Sequence, residues 1–479
     1  FEGQEVDRNT TALGALSAEY KLSDSTIFTL TTSAFKTIEA ETYDILAEYW
    51  LNQVQTDIGE DNFGQPIGEA LGVGSYLEHA RNTLGITVIN IEHKGVHNYN
   101  YNKFSYGIKY QHEQINDYLS EWTMMDSAGY SIPIQQDNQI ILYDFLKTNI
   151  TLSSNRINAF AQNTWEWEAP YFRYILTAGI RANYWDYNNE WNISPRATLL
   201  LKPQNYRQWT FRASGGVYHQ PPFYKELRDF EGNLNPDIKS QVSYQVVLGS
   251  DYTFKAWNRP FKYTNEIYYK YMRNLIPYEI DDMRIRYFAF DRANGYATGL
   301  DMKINGEFVP GIESWASLSF MSAKEDIIGD SYIDTSGVTI YPGYIARPTD
   351  QRVNFSIFFQ DFLPRNPSYK VSLGFYYGSR LPFGAPKTPK YLHKFRMSPY
   401  RRADIGFSKL LKSSEKSYPS GHIFHNIKSA WITAEVFNIL GIKNTSSYIW
   451  IMDMQTNQKV AVPNYLTSRL FNIKLSVEF

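Results

Sequence analysis

Histidine, carboxylate and aromatic side chains are the ones whose types and spacing bear on chemistry in this chain. His93 and His97 lie four apart, and His422 and His425 three apart. Four apart suits two metal ligands on a helix, but His93 and His97 straddle the end of a strand and His422 and His425 occupy a turn. Neither pair has the surrounding ligands of a zinc or iron site, so structural roles are the simpler reading. Glu39, Glu41, Asp44 and Glu48 form an acidic set in a long connection. A cation- or substrate-binding cluster competes there with a solvated strand extension, and the extension is favoured. Asp330, Asp334 and Gly337 resemble a calcium loop only loosely, without its spacing or terminal glutamate. Cysteine is absent, which removes disulfides, thiolate catalysis and zinc–thiolate sites together. Gly-rich phosphate loops, a serine nucleophile elbow and kinase motifs are absent too. The expectation is a protein that is not an enzyme and carries no metal or cofactor.

Aromatic side chains in connections are the better binding candidates. Trp122, Tyr130, Phe223, Tyr341, Tyr344 and Trp450 are expected in loops on one side of the molecule, where they would stack on a substrate or anchor a partner protein. Their alternative role is mutual packing that stiffens long loops. The pair Arg401-Arg402 is expected to face a lumen or the periplasmic rim, where charge is solvated.

The elements that must position these residues are strands. Phe471, Ile473, Leu475, Val477 and Phe479 alternate with Asn472, Lys474, Ser476 and Glu478, so one face of the last segment is apolar and the other polar. The pattern repeats along the chain, and no apolar run is long enough for a membrane helix. Aromatics make up 16% of 479 residues, as in the girdles of an outer-membrane barrel. The mean hydropathy of −0.42 does not oppose this, because only alternate residues face lipid. The fold class is therefore read as all-β, an antiparallel transmembrane outer-membrane β-barrel. A net charge of −2 gives no reason to expect nucleic acid as a partner.

Alternation and turn residues place strands near Leu13–Lys21, Thr26–Phe35, Thr83–His93, Phe104–Glu113, Asn155–Trp165 and Phe172–Tyr184. Others fall at Ile193–Leu201, Trp209–Tyr218, Ser243–Tyr252, Lys262–Met272, Ala297–Glu307 and Ser314–Ser322. The series ends with Val353–Phe359, Lys370–Tyr377, Arg402–Leu410, Lys428–Phe437 and Ser468–Phe479, about seventeen strands in all. Short connections (Leu22–Ser25, Lys202–Asn205, Phe308–Glu313, Asp361–Pro367) alternate with long ones (Thr37–Ala80, Ile115–Ile150, Gln220–Lys239, Ala323–Thr349, Leu440–Thr467). In outer-membrane barrels short turns are periplasmic and long loops extracellular. By that rule the first and last strands both descend, so closure needs an odd number of further strands upstream of Phe1. Phe1-Glu2-Gly3-Gln4-Glu5 lacks the marks of a signal peptide, which reads as a processed or N-terminally incomplete chain.

The order of several segments resembles the barrel of TonB-dependent outer-membrane receptors over essentially the whole chain, 1–479. These are Arg212-Ala213-Ser214-Gly215-Gly216-Val217-Tyr218, Pro221-Pro222-Phe223-Tyr224-Lys225-Glu226-Leu227 and Asn235-Pro236. They are followed by Asn265-Glu266-Ile267-Tyr268-Tyr269-Lys270, Gly295-Tyr296-Ala297-Thr298-Gly299-Leu300-Asp301 and Ser314-Trp315-Ala316-Ser317. Last come Glu435-Val436-Phe437-Asn438-Ile439-Leu440 and Arg469-Leu470-Phe471-Asn472. The resemblance implies a 22-stranded barrel, of which this chain holds about seventeen strands, with five strands, the lumenal plug and the TonB box not seen. It implies location in the bacterial outer membrane and a role for Phe479 as the signal read by the barrel-assembly machinery. It also implies TonB-energised uptake of a bulky scarce nutrient: a siderophore, haem, cobalamin, glycan or peptide. The partners implied are outer-membrane lipid, the TonB complex if a plug and box lie upstream, and a lipoprotein or other outer-membrane protein. The alternative reading is a receptor-like barrel subunit of an outer-membrane assembly or secretion complex, without transport of its own.

Overall fold

The computed structural model describes residues 2–55, 60, 66–126, 142, 144–281, 284–363, 366–453, 458–466 and 468–479. Seventeen long strands form its architecture. They are β1 (Glu2–Ser23), β2 (Thr26–Val54), β3 (Pro66–Tyr99), β4 (Asn102–Asp126), β5 (Asp144–Glu168), β6 (Phe172–Trp185), β7 (Glu190–Pro203), β8 (Trp209–Gln220) and β9 (Gln241–Ala256). Then follow β10 (Arg259–Leu275), β11 (Ala293–Val309), β12 (Ile312–Ile327), β13 (Val353–Leu363), β14 (Asn366–Gly378), β15 (Tyr400–Lys412), β16 (Ser429–Phe437) and β17 (Leu470–Glu478). Each pairs antiparallel with the next in one continuous meander. The same holds from β9 to β17. Every strand expected from alternation coincides with one of these.

Among the described residues the sheet does not close. β1 pairs only with β2, and β17 only with β16. Both outer strands run toward the same end, the end of the short turns, in line with the direction argument from connection lengths.

Register sorts the side chains. Leu30, Ile91, Ile108, Ile157 and Ile180 lie on the outer face and are exposed. At the short-turn end the outer face carries stacked rings: Trp167 on Tyr174 at 5.2 Å, Trp209 on Tyr252 at 4.4 Å and Phe254 on Phe261 at 5.5 Å. A second belt holds Tyr184 on Trp191 at 4.8 Å and Tyr296 against Tyr344 at 5.3 Å. Tyr174 and Tyr184 sit ten residues apart on β6, about the length of strand that crosses a hydrocarbon layer. The turn between β9 and β10 needs left-handed backbone at both central residues, and Trp257 and Asn258 have φ of 51° and 60°, as a type I′ hairpin requires.

Among the described residues, two expected long loops are instead largely strand. β2 and β3 run for 29 and 34 residues, roughly 100 Å of extended chain, where the sequence reading ended them near Phe35 and began again at Thr83. β4 and β5 likewise continue to Asp126 and from Asp144. The reason is legible afterwards: Thr37-Ile38-Glu39-Ala40-Glu41-Thr42-Tyr43 keeps the alternation, and pairing with β1 and β3 satisfies its backbone without needing lipid.

Candidate functional site

The upper inner face of β2–β5 forms a wall, and two connections fold back over it. The first spans 221–240. One 3-10 turn, Tyr224–Leu227, is closed where the Glu226 carboxylate accepts the Phe223 N–H at 3.1 Å. This presents Tyr224 and Leu227 to the wall, where they join Ile238, Ile276, Ile115, Leu152 and Trp185 in one buried cluster. The Tyr224 hydroxyl and Arg228 Nη1 both donate to Asp117 Oδ2 at 2.7 Å. Trp185 is anchored from behind: its indole N–H donates to Ser154 Oγ at 3.0 Å, Ser154 donates to Glu113 at 2.7 Å, and Arg156 lies 4.1 Å over the ring. Burial and the Asp117 carboxylate together push the Tyr224 hydroxyl well above its ordinary range.

The second connection, 276–292, carries a short hairpin, Tyr278–Asp281 paired with Arg284–Tyr287. Arg284 reaches the wall. It donates to Glu121 at 2.7 Å and to the Tyr43 hydroxyl at 2.6 Å, and lies 3.4 Å from Glu41. Asn82 joins the two carboxylates by donating to Glu41 at 2.9 Å and Glu121 at 2.7 Å. Burial alone would lower the Arg284 pKa, but Glu121, Tyr43 and Glu41 hold it above its ordinary value. Burial also lifts the Tyr287 hydroxyl to about 12.

The far side of the hairpin is held by a buried ionic cage. Glu279, 1% exposed, accepts the Lys387 N–H at 3.0 Å. Lys390 donates to the Tyr278 carbonyl at 2.6 Å and lies 3.6 Å from Glu325, which Arg347 approaches at 3.2 Å. Asp350 beside them receives Arg396 at 2.6 Å and Arg352 at 2.9 Å. The loops between β12 and β13 and between β14 and β15 are thereby tied to the hairpin.

Between wall and loops lies a cavity of about 420 Å³. Its wall side offers Glu39, Glu41, Asp117 and Glu121, and its loop side Lys225, Arg228, Arg284 and Arg286. The sheet thus supplies acids alone, and the connections supply the bases together with Asp229. Such a chamber offers charge and hydrogen-bonding groups.

The loop aromatics expected to bind are not brought together. Phe223 stands at this site, edge-on to Tyr287 at 5.6 Å. Trp122 stacks on His79 at 4.8 Å on the outer face of the wall. Tyr344 belongs to the outer aromatic belt, Tyr341 is exposed, and Trp450 packs near Phe383 at 5.9 Å. Tyr130 lies outside the described residues. Phe479 is exposed beyond β17, on the row of Phe471, Ile473 and Leu475.

The acidic set divides between faces, Glu39 and Glu41 inward, Asp44 and Glu48 outward. Asp44 is tied to His79 and Arg81 at 2.5 Å each. Carboxylate oxygens of Glu5, Asp7 and Glu41 lie within 4.8 Å of one another, and Arg284 already approaches Glu41. Asp334 accepts N–H groups from Ser336 and Val338 at 2.8 and 2.9 Å, which is turn bonding. His93 and His97 both fall inside β3, four apart on an extended strand; the His97 ring bonds Thr26 at 2.6 Å. His422 stacks on Tyr418 in the turn before β16. Arg401 and Arg402 stand at the long-loop end of β15 rather than at a periplasmic rim, with Arg402 turned inward onto Asp404 at 2.6 Å. Asp117, Glu121, Trp185, Arg284 and Glu325 were missed. In the sequence this place was marked by the Pro221-Pro222-Phe223-Tyr224 run and by Glu39 and Glu41 of the acidic set.

Docking of the first connection carries a pH signature. Burial raises the Glu226 carboxyl above 4.5, against hydrogen bonds from Phe223 and Gln241 that favour the anion. The docked loop then holds this proton more tightly than the released loop. Docking is most favourable below pH 4.5 and weakens as pH rises from there through the raised pKa. Glu226→Gln is expected to flatten that slope. A fluorophore on Lys225→Cys, the sole thiol in a cysteine-free chain, reports loop release by denaturant. Equal slopes in both proteins would contradict the assignment.

A family model described as TonB dependent receptor-like, beta-barrel matches residues 1–421. No curated protein matches the sequence. Among solved structures, the fold is similar to the siderophore receptor PiuA from Acinetobacter baumannii, with TM-score 0.61 and 12% identity over 99% of this chain and 65% of that one. It is similar to BauA, the ferric preacinetobactin receptor of Acinetobacter baumannii, with TM-score 0.56 and 10% identity over 100% and 64%. The copper transporter OprC gives TM-score 0.54 and 11% identity over 98% and 72%. The chain thus spans roughly two thirds of the length of these structures, and at such identities the likeness is one of fold.

Proposed function

Because the chain belongs to the TonB-dependent receptor-like β-barrel family, whose members are outer-membrane proteins, we propose that it forms the barrel of a receptor importing a bulky scarce nutrient. The ligand is captured at the long-loop end and released inward when the TonB complex pulls a plug within the lumen. The observation that carries this reading is the inward fold of 221–240 and 276–292, which leaves a charged cavity of about 420 Å³ between loops and wall. A barrel of this breadth is wider than its side chains can fill, so passage has to be gated, and the outer membrane offers no energy source of its own. Siderophores and metal ions are carried by proteins of similar fold, and a ligand of that kind fits the reading.

In cells lacking the energy-transducing complex, uptake of the receptor's nutrient is expected to cease while binding at the cell surface persists. Radiolabelled ligand separates the two, and uptake that continues in those cells would overturn the proposal.

A further inference from the structure

The wall of the barrel has a step. β4 pairs with β5 up to Thr123 and Asp144, whereas β5 pairs with β6 only from Arg156. Residues 144–154 of β5 therefore rise above β6 with a strand neighbour on one side alone among the described residues, about 36 Å of strand at the usual rise. The direction of the free groups follows from Asn155, whose carbonyl accepts the Asp186 N–H at 3.1 Å on the β6 side. Successive residues of an antiparallel strand turn their main-chain groups to opposite neighbours. Phe145, Lys147, Asn149, Thr151 and Ser153 thus point N–H and C=O away from β4, and no backbone partner for them occurs among the described residues.

We propose that this upper edge of β5 is a docking site for an extended segment of a partner protein, which adds to the sheet as one more strand. Free edges are templates for such pairing, and main-chain bonding of this kind gives affinity while flanking pockets give selectivity. The chemistry of the segment can be read from what lies beside the edge. Inner-face neighbours Leu146, Ile150 and Leu152 are apolar, so the segment carries apolar residues at alternate positions. At the head of the edge a cleft of about 540 Å³ is lined by Leu146, Phe230, Phe288 and Pro389 together with the charged Asp144, Glu231 and Lys387, and its two phenyl rings stand edge-on at 4.8 Å. A large apolar side chain of the segment seats there. On the outer face Lys147 is exposed and has no ion-pair partner among the described residues, while Asp144 is already engaged by Lys387 at 2.7 Å. An acidic residue of the segment lies opposite Lys147.

The test uses the full receptor in lipid nanodiscs and a synthetic peptide of about eleven residues, matched to this edge, alternating valine and threonine with one glutamate. In the free receptor, amides of Lys147, Asn149 and Thr151 are expected to exchange hydrogen much faster than those of Leu146, Thr148 and Ile150, and the peptide is expected to slow them. Asn149→Pro removes an edge N–H and leaves the β4 ladder intact, so it is expected to weaken binding by about tenfold or more. A peptide methylated at alternate backbone amides is expected not to bind. Three results would each overturn the proposal: amides of both parities equally slow without peptide, methylated peptide bound as well as the parent, or an edge protected by self-association of the receptor. The exchange measurement on the unmodified protein stands even where Asn149→Pro fails to fold.

Discussion

Glu325→Ala is expected to open the loop cage at the outer mouth, at a cost of about 3–5 kcal/mol. Glu325 is fully buried and lies between Arg347 at 3.2 Å and Lys390 at 3.6 Å, whose side chains are 12% and 4% exposed. Their desolvation is tolerable only while the carboxylate is present. Its removal strands two cations away from water, and the route to relief is for the loops to swing out and hydrate them. Exchange of amides in 345–352 and 387–396 should rise by roughly a hundred- to several-thousand-fold, since about 1.4 kcal/mol is a factor of ten. The strands within the sheet should not change. Replacing Glu325, Arg347 and Lys390 together with apolar residues of similar size should restore protection, because well-packed apolar groups often equal a buried ion network. A change below about tenfold in Glu325→Ala would show that the cage does not hold the loops.

Trp185→Ala is the second large effect. The indole is 1% exposed and sits between Leu152 on the wall and Tyr224, Leu227 and Ile238 on the folded-in connection. Truncation removes most of one wall of that cluster and leaves a cavity, for which about 3–5 kcal/mol is typical of large aromatic side chains. It also takes the donor from Ser154 and the ring from beneath Arg156, leaving a buried hydroxyl and a guanidinium less well satisfied. The result expected is release of 221–240 from the wall with β6 and β7 still paired. Protease cleavage near the exposed Lys225 reads the release, and infrared or circular dichroism reads the sheet. Trp185→Phe keeps much of the contact and should retain most of the docking. A loop as resistant to protease in Trp185→Ala as in the parent would place the anchor elsewhere.

These two effects show where sequence reading stopped. Trp185 sits at the end of an alternating strand and looks in sequence like any interface tryptophan. Its inward direction is fixed by register with Arg156, and its burial by a connection that begins some forty residues later. Glu325 falls by the sequence reading in the connection Ala323–Thr349 and carries no mark of its own. What makes it structural is the approach of Lys390 and Arg347 from two other connections. Arg284 meets Glu41 across 243 residues of chain, beyond the reach of any spacing rule. The aromatic loop residues failed as a set for the same reason. An expected place in a loop did not say that Trp122 would lie in β4 and face outward onto His79, or that Phe223 would stand edge-on to Tyr287.

The sequence by itself determined the order and direction of the seventeen strands of the main sheet and which face of each is apolar. Those properties are local. Period-two alternation fixes the faces, turn residues fix the reversals, and pairing of neighbours in sequence needs no distant information. Only the tertiary structure decided how far β2–β5 rise above their neighbours, which connections turn inward, and which charges meet in the cavity and the cage. Those depend on packing between segments hundreds of residues apart, where the desolvation of a charge is offset only when its partner arrives from another part of the chain.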